Sequence, residues 1–205
     1  SVEGVHAVAA ALAAGRVERL TVERARLDAL QSLVSAARTR GVPIDIVDDV
    51  RRDATTDAPQ GVVATCRAIP IATLEEVVAA TTPAAVLVLD HLEDPRNVGA
   101  LARSAVAAGI GGLVIPEHRS APLEATAFKA AAGAFEHLKV AAESSIANVV
   151  ESLKRMHVWT VGLDSEGRQS LFGLALLAEP VAVVVGAEGG GLSRLVRDRV
   201  DVVAS

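Results

Sequence analysis

The stretch AVLVLDHLEDPRNVGALARSAVAAGIGGLVIP, residues 85–116, decides the fold. Ala85 to Leu89 are all apolar and show no alternation, which is the pattern of a strand covered on both faces in a parallel sheet. Residues 97–109 then carry apolar side chains at helical spacing and close on Gly109, a residue suited to ending a helix. GLVIP, residues 112–116, is a second strand. A strand, a helix and a strand joined this closely form a β-α-β unit, whose two strands must run parallel.

Downstream, the alternation continues. The spacing predicts helix over 123–135, strand over 137–141, helix over 144–157 capped by Ser144 or Ser145, and strands over 158–163 and 181–186. This is a doubly wound α/β fold, a parallel sheet with helices on both faces. Residues 1–66 read as a separate, small α/β unit. It has a helix over 5–15, a strand over 19–22, and an amphipathic helix over 27–41 with Leu27, Leu30, Leu33 and Val34 on one face. Strands over 44–47 and 61–66 complete it. Residues 67–84, a short helical stretch between Pro70 and Pro83, read as a linker, so the expected division is 1–66, 67–84 and 85–205.

Composition narrows the function classes. Hydrophobic residues make up 51% of the 205, mostly Ala and Val, so the core is built from small aliphatic side chains that let helices pack closely on a sheet. A net charge of -5 with no long basic run argues mildly against nucleic acid, although global charge says little about one local patch. The single cysteine, Cys66, excludes an internal disulfide and a cysteine-rich zinc site. His91, His118, His137 and His157 share no ligand spacing, so no metal is expected. No apolar run approaches the roughly 20 residues of a membrane span, and the N-terminus has no signal-peptide core. The expected location is the cytoplasm.

Three polar or glycine-rich segments fall at the carboxyl ends of predicted strands: DHLEDPRNVG (90–99), GLDSEG (162–167) and GAEGGGLS (186–193). Ligands bind at that edge of an open parallel sheet. The first turn is not the G-x-G-x-x-G of a dinucleotide fold, and no G-K-[ST] of a phosphate loop is present. Glu188, set among glycines, would repel phosphate and suits a cationic or zwitterionic ligand.

These segments carry a resemblance. Asp94, Pro95, Asn97, Gly99, Ala100, Arg103, Ser104 and Ala105 fit the D-P-x-N-x-G-A-x-x-R-[ST]-A pattern of the SpoU/TrmH family of RNA ribose 2′-O-methyltransferases, in the SPOUT superfamily. Gly186, Glu188, Gly189, Gly191 and Leu192 fit its G-x-E-G-x-G-[LMI] pattern. Residues 125–140 look like the family's connecting segment, and GVHAVAAAL with PQGVVATCR resembles the small RNA-binding domain that precedes catalytic domains of this kind. The resemblance is to the 23S rRNA guanosine 2′-O-methyltransferases in particular.

The resemblance implies S-adenosylmethionine as methyl donor, bound in a C-terminal trefoil knot against Gly162, Gly186, Ala187, Glu188, Gly189, Gly191 and Leu192. It implies catalytic roles for Arg103, Asn97 and Glu188. Arg103 either passes on the ribose proton with help from an RNA phosphate or only positions phosphate and steadies the alkoxide, since a free guanidinium is not normally a base. Asn97 is expected at the start of its helix, with Glu188 accepting from Asn97 or from an arginine. Arg51, Arg52 and Arg67 are candidate RNA contacts. The substrate it implies is ribosomal RNA; transfer RNA, or an RNA-binding protein that keeps the fold without catalysis, are the alternatives. A homodimer is also implied. The family's third motif, an S-L-N-bearing stretch that closes the knot and the cofactor pocket, would begin one residue past Ser205. The domain over 85–205 is therefore expected to be C-terminally incomplete and, by itself, to bind cofactor poorly.

Overall fold

The computed structural model describes residues 1–118 and 122–205. In chain order the first elements are β1 (Val2–Glu3), α1 (Val5–Ala13), β2 (Val17–Glu23), α2 (Gln31–Thr39), β3 (Ile44–Val47) and β4 (Val62–Cys66). Then come α3 (Leu74–Val78), β5 (Ala85–Asp90), α4 (Pro95–Ala107), β6 (Gly112–Pro116), α5 (Ala125–Ala131) and β7 (Lys139–Glu143). The chain closes with α6 (Ile146–Arg155), β8 (Trp159–Leu163), β9 (Val181–Gly186), α7 (Arg194–Arg199) and β10 (Val202–Ala204). Residues 1–69, 95–103 and 122–136 form one compact unit; 70–94, the described part of 104–121, and 137–205 form another.

The first unit is a four-stranded sheet in the order β1-β4-β2-β3, with β2 and β3 parallel and the other pairs antiparallel. Ala7, Val8, Ala11 and Leu12 of α1 are buried, as are Leu33, Val34 and Ala37 of α2, and with Leu20, Val22 and Val62 they belong to the apolar core. Regular helix begins at Gln31 rather than at Leu27. The Leu30 N–H donates to the carbonyls of both Arg26 (3.0 Å) and Leu27 (3.2 Å). Two closures of different length thus compete over residues whose apolar spacing is nonetheless helical.

Two groups of charged side chains lie inside this unit. Glu3 is buried and its carboxylate accepts from the Thr55 N–H (2.6 Å) and hydroxyl (2.8 Å) and from the Thr56 N–H (3.1 Å) and hydroxyl. Burial pushes the Glu3 carboxyl up, but the Thr56 hydroxyl and the other donors outweigh it and hold it below the usual carboxylate range. Arg16 donates to Glu136 from Nε (2.8 Å) and from a terminal nitrogen (2.5 Å), gives another N–H to the Arg67 carbonyl, and lies 5.2 Å over the Phe128 ring. The Glu136 hydrogen bond raises the Arg16 pKa further above its ordinary value.

The second unit is built on a six-stranded sheet in the order β10-β8-β9-β5-β6-β7, every pair parallel. Side chains alternate between its faces. Val86, Val88, Val114, Ala141, Ala182 and Val184 face α3, α6 and α7, which supply Leu74, Val77, Ile146, Val149, Val150, Leu153 and Val196. On the opposite side Val161, Val181 and Ala204 pack under Leu171, Leu174 and Leu176. From Pro70 onward the 67–84 stretch belongs to this unit: Ile71 bridges to Val140, and α3 begins with a capping box between Thr73 and Glu76. The chain runs outward from β5 to β6 and β7, then crosses to β8 and returns to insert β9 beside β5. The order therefore reverses between β5 and β9, the place where open parallel sheets bind ligands.

Candidate active site

Asp90 ends β5 directly opposite Gly186, which ends β9. Beyond Gly186 the chain folds into a tight turn. Ala187 N–H donates to the Gly191 carbonyl (3.0 Å) and Gly191 N–H to the Ala187 carbonyl (2.9 Å), so residues 188–190 are held outward as the tip. Glycine is required at particular places in it. A methyl group on Gly186 would lie 2.1 Å from the Gly191 carbonyl oxygen, and Gly189 and Gly191 adopt φ of 74° and 64°. Around Gly189 and Gly190, by contrast, an added methyl would meet nothing within 4 Å. The backbone at the tip is bare and open. Glu188 is exposed on it.

Contacts from the ends of β5 and β8 fix the base of the turn. The buried Asp90 carboxylate accepts from the Ser193 N–H (2.7 Å) and lies 2.6 Å from His91 Nδ1. Ser193 stands at the cap position of α7, but its side chain makes no capping bond; its N–H is what is used. Leu192 is buried against Gly162, where a methyl would meet the Leu192 side chain at 2.5 Å. Asp164, just past β8, pairs with Arg197 of α7 (3.1 Å), and Glu166 pairs with the same guanidinium (3.2 Å). Gly167 lies so close to Ala204 that a methyl would fall 2.4 Å from its carbonyl carbon, and the Asp164 N–H donates to the Ala204 carbonyl (2.9 Å). The 162–167 loop and the 186–193 turn thus meet at one edge of this sheet.

The structure therefore brings together Gly162, Gly186, Ala187, Glu188, Gly189, Gly191 and Leu192. Asn97 and Arg103 lie on the part of α4 that belongs to the first unit, and both are exposed. α4 begins at Pro95, so Asn97 is the third residue of the helix rather than its opening one. Proline is preorganised for the first helical position, which draws the start back by two residues. Gly99 is buried against α5, where a methyl would meet the Ala127 carbonyl at 2.4 Å. Arg51 is exposed and 3.4 Å from Asp49, Arg52 is exposed, and the Arg67 guanidinium donates to the Gly15 carbonyl. Asp90, Asp164 and Arg197 brace the loops of the candidate site, and sequence reasoning missed them. A carboxylate closing an otherwise apolar strand was the available signal for Asp90.

At the amino edge of the same sheet Asp201 accepts from the Thr160 hydroxyl (2.8 Å) and N–H (2.9 Å) and pairs with Lys154 (3.3 Å). Burial pushes the Asp201 carboxyl up, but Thr160 and then Lys154 outweigh it and hold it below its ordinary value. Among the described residues no group of three His, Cys, Asp or Glu side chains is placed to hold a metal, and no helix is long and apolar enough to cross a membrane. Burial pushes the Cys66 thiol up, away from reactivity.

Known proteins with this arrangement identify its family. The sequence pattern of the SpoU rRNA Methylase family matches residues 84–205, and that of RNA 2′-O ribose methyltransferase substrate binding matches residues 1–72. The chain belongs to the SpoU family. The putative TrmH family tRNA/rRNA methyltransferase YacO of Bacillus subtilis is 36% identical over 176 residues, 83% of this chain and 70% of its own. The 23S rRNA (guanosine-2′-O-)-methyltransferase RlmB of Escherichia coli K12 is 33% identical over 210 residues, 98% of this chain and 86% of its own. The SpoU methyltransferase AviRb of Streptomyces viridochromogenes, solved with the cofactor AdoMet, superposes with a TM-score of 0.80 at 22% identity, covering all of this chain and 79% of that one. That likeness establishes that the SpoU chain shares the fold, an α/β architecture on a six-stranded parallel sheet.

Proposed function

We propose that this SpoU-family protein transfers the methyl group of S-adenosylmethionine to a ribose 2′-hydroxyl of ribosomal RNA. The observation that carries the reading is the 187–191 turn, closed on itself and tied by Asp90 at the point where the strand order reverses. The 23S rRNA activity named for the RlmB relative favours ribosomal over transfer RNA.

The residues fit the cofactor. Its sulfonium and ammonium are cationic and its carboxylate anionic. Bare backbone at Gly189 and Gly190 allows close approach, and the exposed Glu188 carboxylate suits positive rather than phosphate charge. Gly162, Gly186, Ala187, Glu188, Gly189, Gly191 and Leu192 are the residues that would hold it. When bound, it supplies an electrophilic methyl on a good leaving group, so the protein's part is alignment and removal of one proton.

Arg103 is assigned to an RNA phosphate and to steadying the alkoxide, because a guanidinium is a poor base but a good partner for an anion. Asn97, on the same helix, and Glu188 orient the groups around the reacting hydroxyl. Arg51, Arg52 and Arg67 contribute to holding the RNA, and the working form is a homodimer in the cytoplasm, which sedimentation of the protein checks.

Incubation with tritium-labelled S-adenosylmethionine and 23S rRNA or tRNA transcripts tests the reading. Label is expected in the ribosomal transcript, at one position that resists alkaline cleavage because its 2′-oxygen is blocked. No transfer, or transfer to tRNA alone, overturns it. Arg103→Ala is expected to lower the rate about 100-fold or more with cofactor affinity retained, the scale set by removing one group that stabilises developing charge.

A further inference from the structure

The first unit carries a recess of about 510 Å3, lined by Val5, His6, Arg26, Gln60 and Gly61. Three separate pieces of chain build it: the start of α1, the 24–26 turn after β2, and the turn that leads into β4. Gln60 and Gly61 both adopt left-handed backbone, with φ of 60° and 78°. A glutamine pays for that conformation only where something holds it, and here its Oε1 accepts the Val5 N–H (3.0 Å). This contact uses the amide oxygen and leaves the amide N–H pair without a partner among the described residues.

Arg26 lies across Gly61. A methyl there would meet Arg26 Cγ at 2.5 Å and Cβ at 3.0 Å, so the bare glycine is what allows the arginine stem to lie over the turn. The guanidinium of Arg26 and the imidazole of His6 are exposed, and neither makes a hydrogen bond or ion pair among the described residues. Two planar polar groups, an amide donor and the apolar Val5 side chain therefore share one recess, with no carboxylate lining it.

That combination suits a nucleobase better than a phosphate, because it offers planes for stacking and a donor for a base edge but only one fixed charge. Unpaired bases are bound by stacking on aromatic rings or on arginine and histidine planes. The ring option is closed in this unit, since Phe128 and Phe135 are 7% and 1% exposed. We propose that the Val5–His6–Arg26–Gln60–Gly61 recess takes one unpaired nucleobase of the RNA substrate, stacked on the Arg26 guanidinium. The inference rests on the reading of the protein as acting on 23S rRNA.

The test is binding of a 23S rRNA transcript to the wild-type protein and to Arg26→Ala, Arg26→Lys and His6→Ala, across a series of salt concentrations, with Tm as the check on folding. Arg26→Ala and His6→Ala are expected to weaken binding about tenfold, the scale of losing one stacked base. Arg26→Lys is expected to bind as weakly as Arg26→Ala, because the charge returns without the plane. The salt dependence is expected to stay unchanged, whereas losing a phosphate contact lowers its slope by about one. Rescue by lysine, or a reduced slope, overturns the nucleobase assignment. Unaltered affinity in all three variants overturns the inference alone. A wild-type protein that does not bind the transcript overturns the rRNA reading, and the inference falls with it.

Discussion

The four-stranded sheet of the first unit keeps Glu3, Arg16 and Glu136 under cover, whereas the six-stranded sheet of the second fills its interior with Val, Leu and Ala and places Asp90 and Asp164 at its carboxyl edge. The difference follows from pairing. A parallel sheet covered by helices leaves little room for ionised groups except where strands end, and there they meet loops. A small mixed sheet has fewer apolar contacts to close its periphery, so hydrogen-bonded charge ties loops to it instead, as Glu3 does for residues 55 and 56. Charge in the first unit is scaffold. At the carboxyl edge of the second it ties the loops that form the candidate site.

The largest effect that would break this comparison is on the Arg16–Glu136 pair, whose side chains are 9% and 5% exposed. Glu136→Ala leaves a buried guanidinium unpaired and is expected to lower stability by about 3–5 kcal/mol in urea unfolding. Replacing both partners by apolar residues of similar size recovers most of that loss, because the desolvation cost disappears with the charges. A loss below about 1 kcal/mol, the value of a solvated surface pair, would mean that the pair is not scaffold.

Next comes a matched pair in the 186–191 turn. Gly186→Ala sets a methyl against the Gly191 backbone, so the turn cannot close and S-adenosylmethionine affinity is expected to fall at least 100-fold, about 2.8 kcal/mol. Gly190→Ala meets nothing within 4 Å and needs no unusual backbone, so Tm should hold. Calorimetric titration should nonetheless show weaker cofactor binding, by about tenfold, if the ligand lies against that bare backbone. Unchanged affinity in Gly190→Ala would move the cofactor off the tip.

The parallel sheet was legible because its signal is local: β5 and β9 are unbroken apolar runs, and each loop at their ends is marked by glycine or a carboxylate. What holds the loops was not legible, because the partners are remote in sequence. Asp90 and Ser193 are 103 residues apart, and Arg16 and Glu136 are 120 apart. The two-residue β1 is too short to show any period. The start of α4 was set two residues late because the apolar spacing begins only at Val98, while the helix is started by Pro95, which has no apolar period to reveal it. The exposed place of Glu188 at a turn tip was readable, since a carboxylate among glycines has few uses inside a core.

A smaller effect separates the two units by pH. Glu3 and Asp201 are both held below their ordinary pKa when folded. The unfolded chain therefore binds their protons at higher pH than the folded one does. Their contribution is fully present above about pH 4.3 for Glu3 and 3.9 for Asp201, and is lost as pH falls through the folded values. Glu3→Gln and Asp201→Asn should each cost about 1–2 kcal/mol at neutral pH and flatten part of the acid limb of stability. The only tryptophan, Trp159, sits on β8. Its fluorescence should show Asp201→Asn flattening the acid limb below about pH 3.9, while whole-chain circular dichroism should show Glu3→Gln flattening it from about pH 4.3 downward. Identical curves by both probes would show that the units unfold as one.

The smallest effect concerns how the helices begin. α1 and α2 of the first unit start without a side-chain capping bond, whereas in the second unit Thr73 caps α3 and Ser145 caps α6. At α3 the Thr73 hydroxyl accepts the Glu76 N–H (3.2 Å) and the Glu76 carboxylate accepts the Thr73 N–H (2.8 Å). With only five residues, α3 has few internal hydrogen bonds to set against the cost of nucleation, so its cap matters in proportion. The buried Leu74 and Val77 still anchor it to the sheet. Thr73→Ala should therefore cost only about 1 kcal/mol in urea unfolding followed at Trp159, and Thr73→Ser should recover most of it. A cost several times larger would mean that the cap supports more than one short helix, because the apolar anchors would then be failing with it.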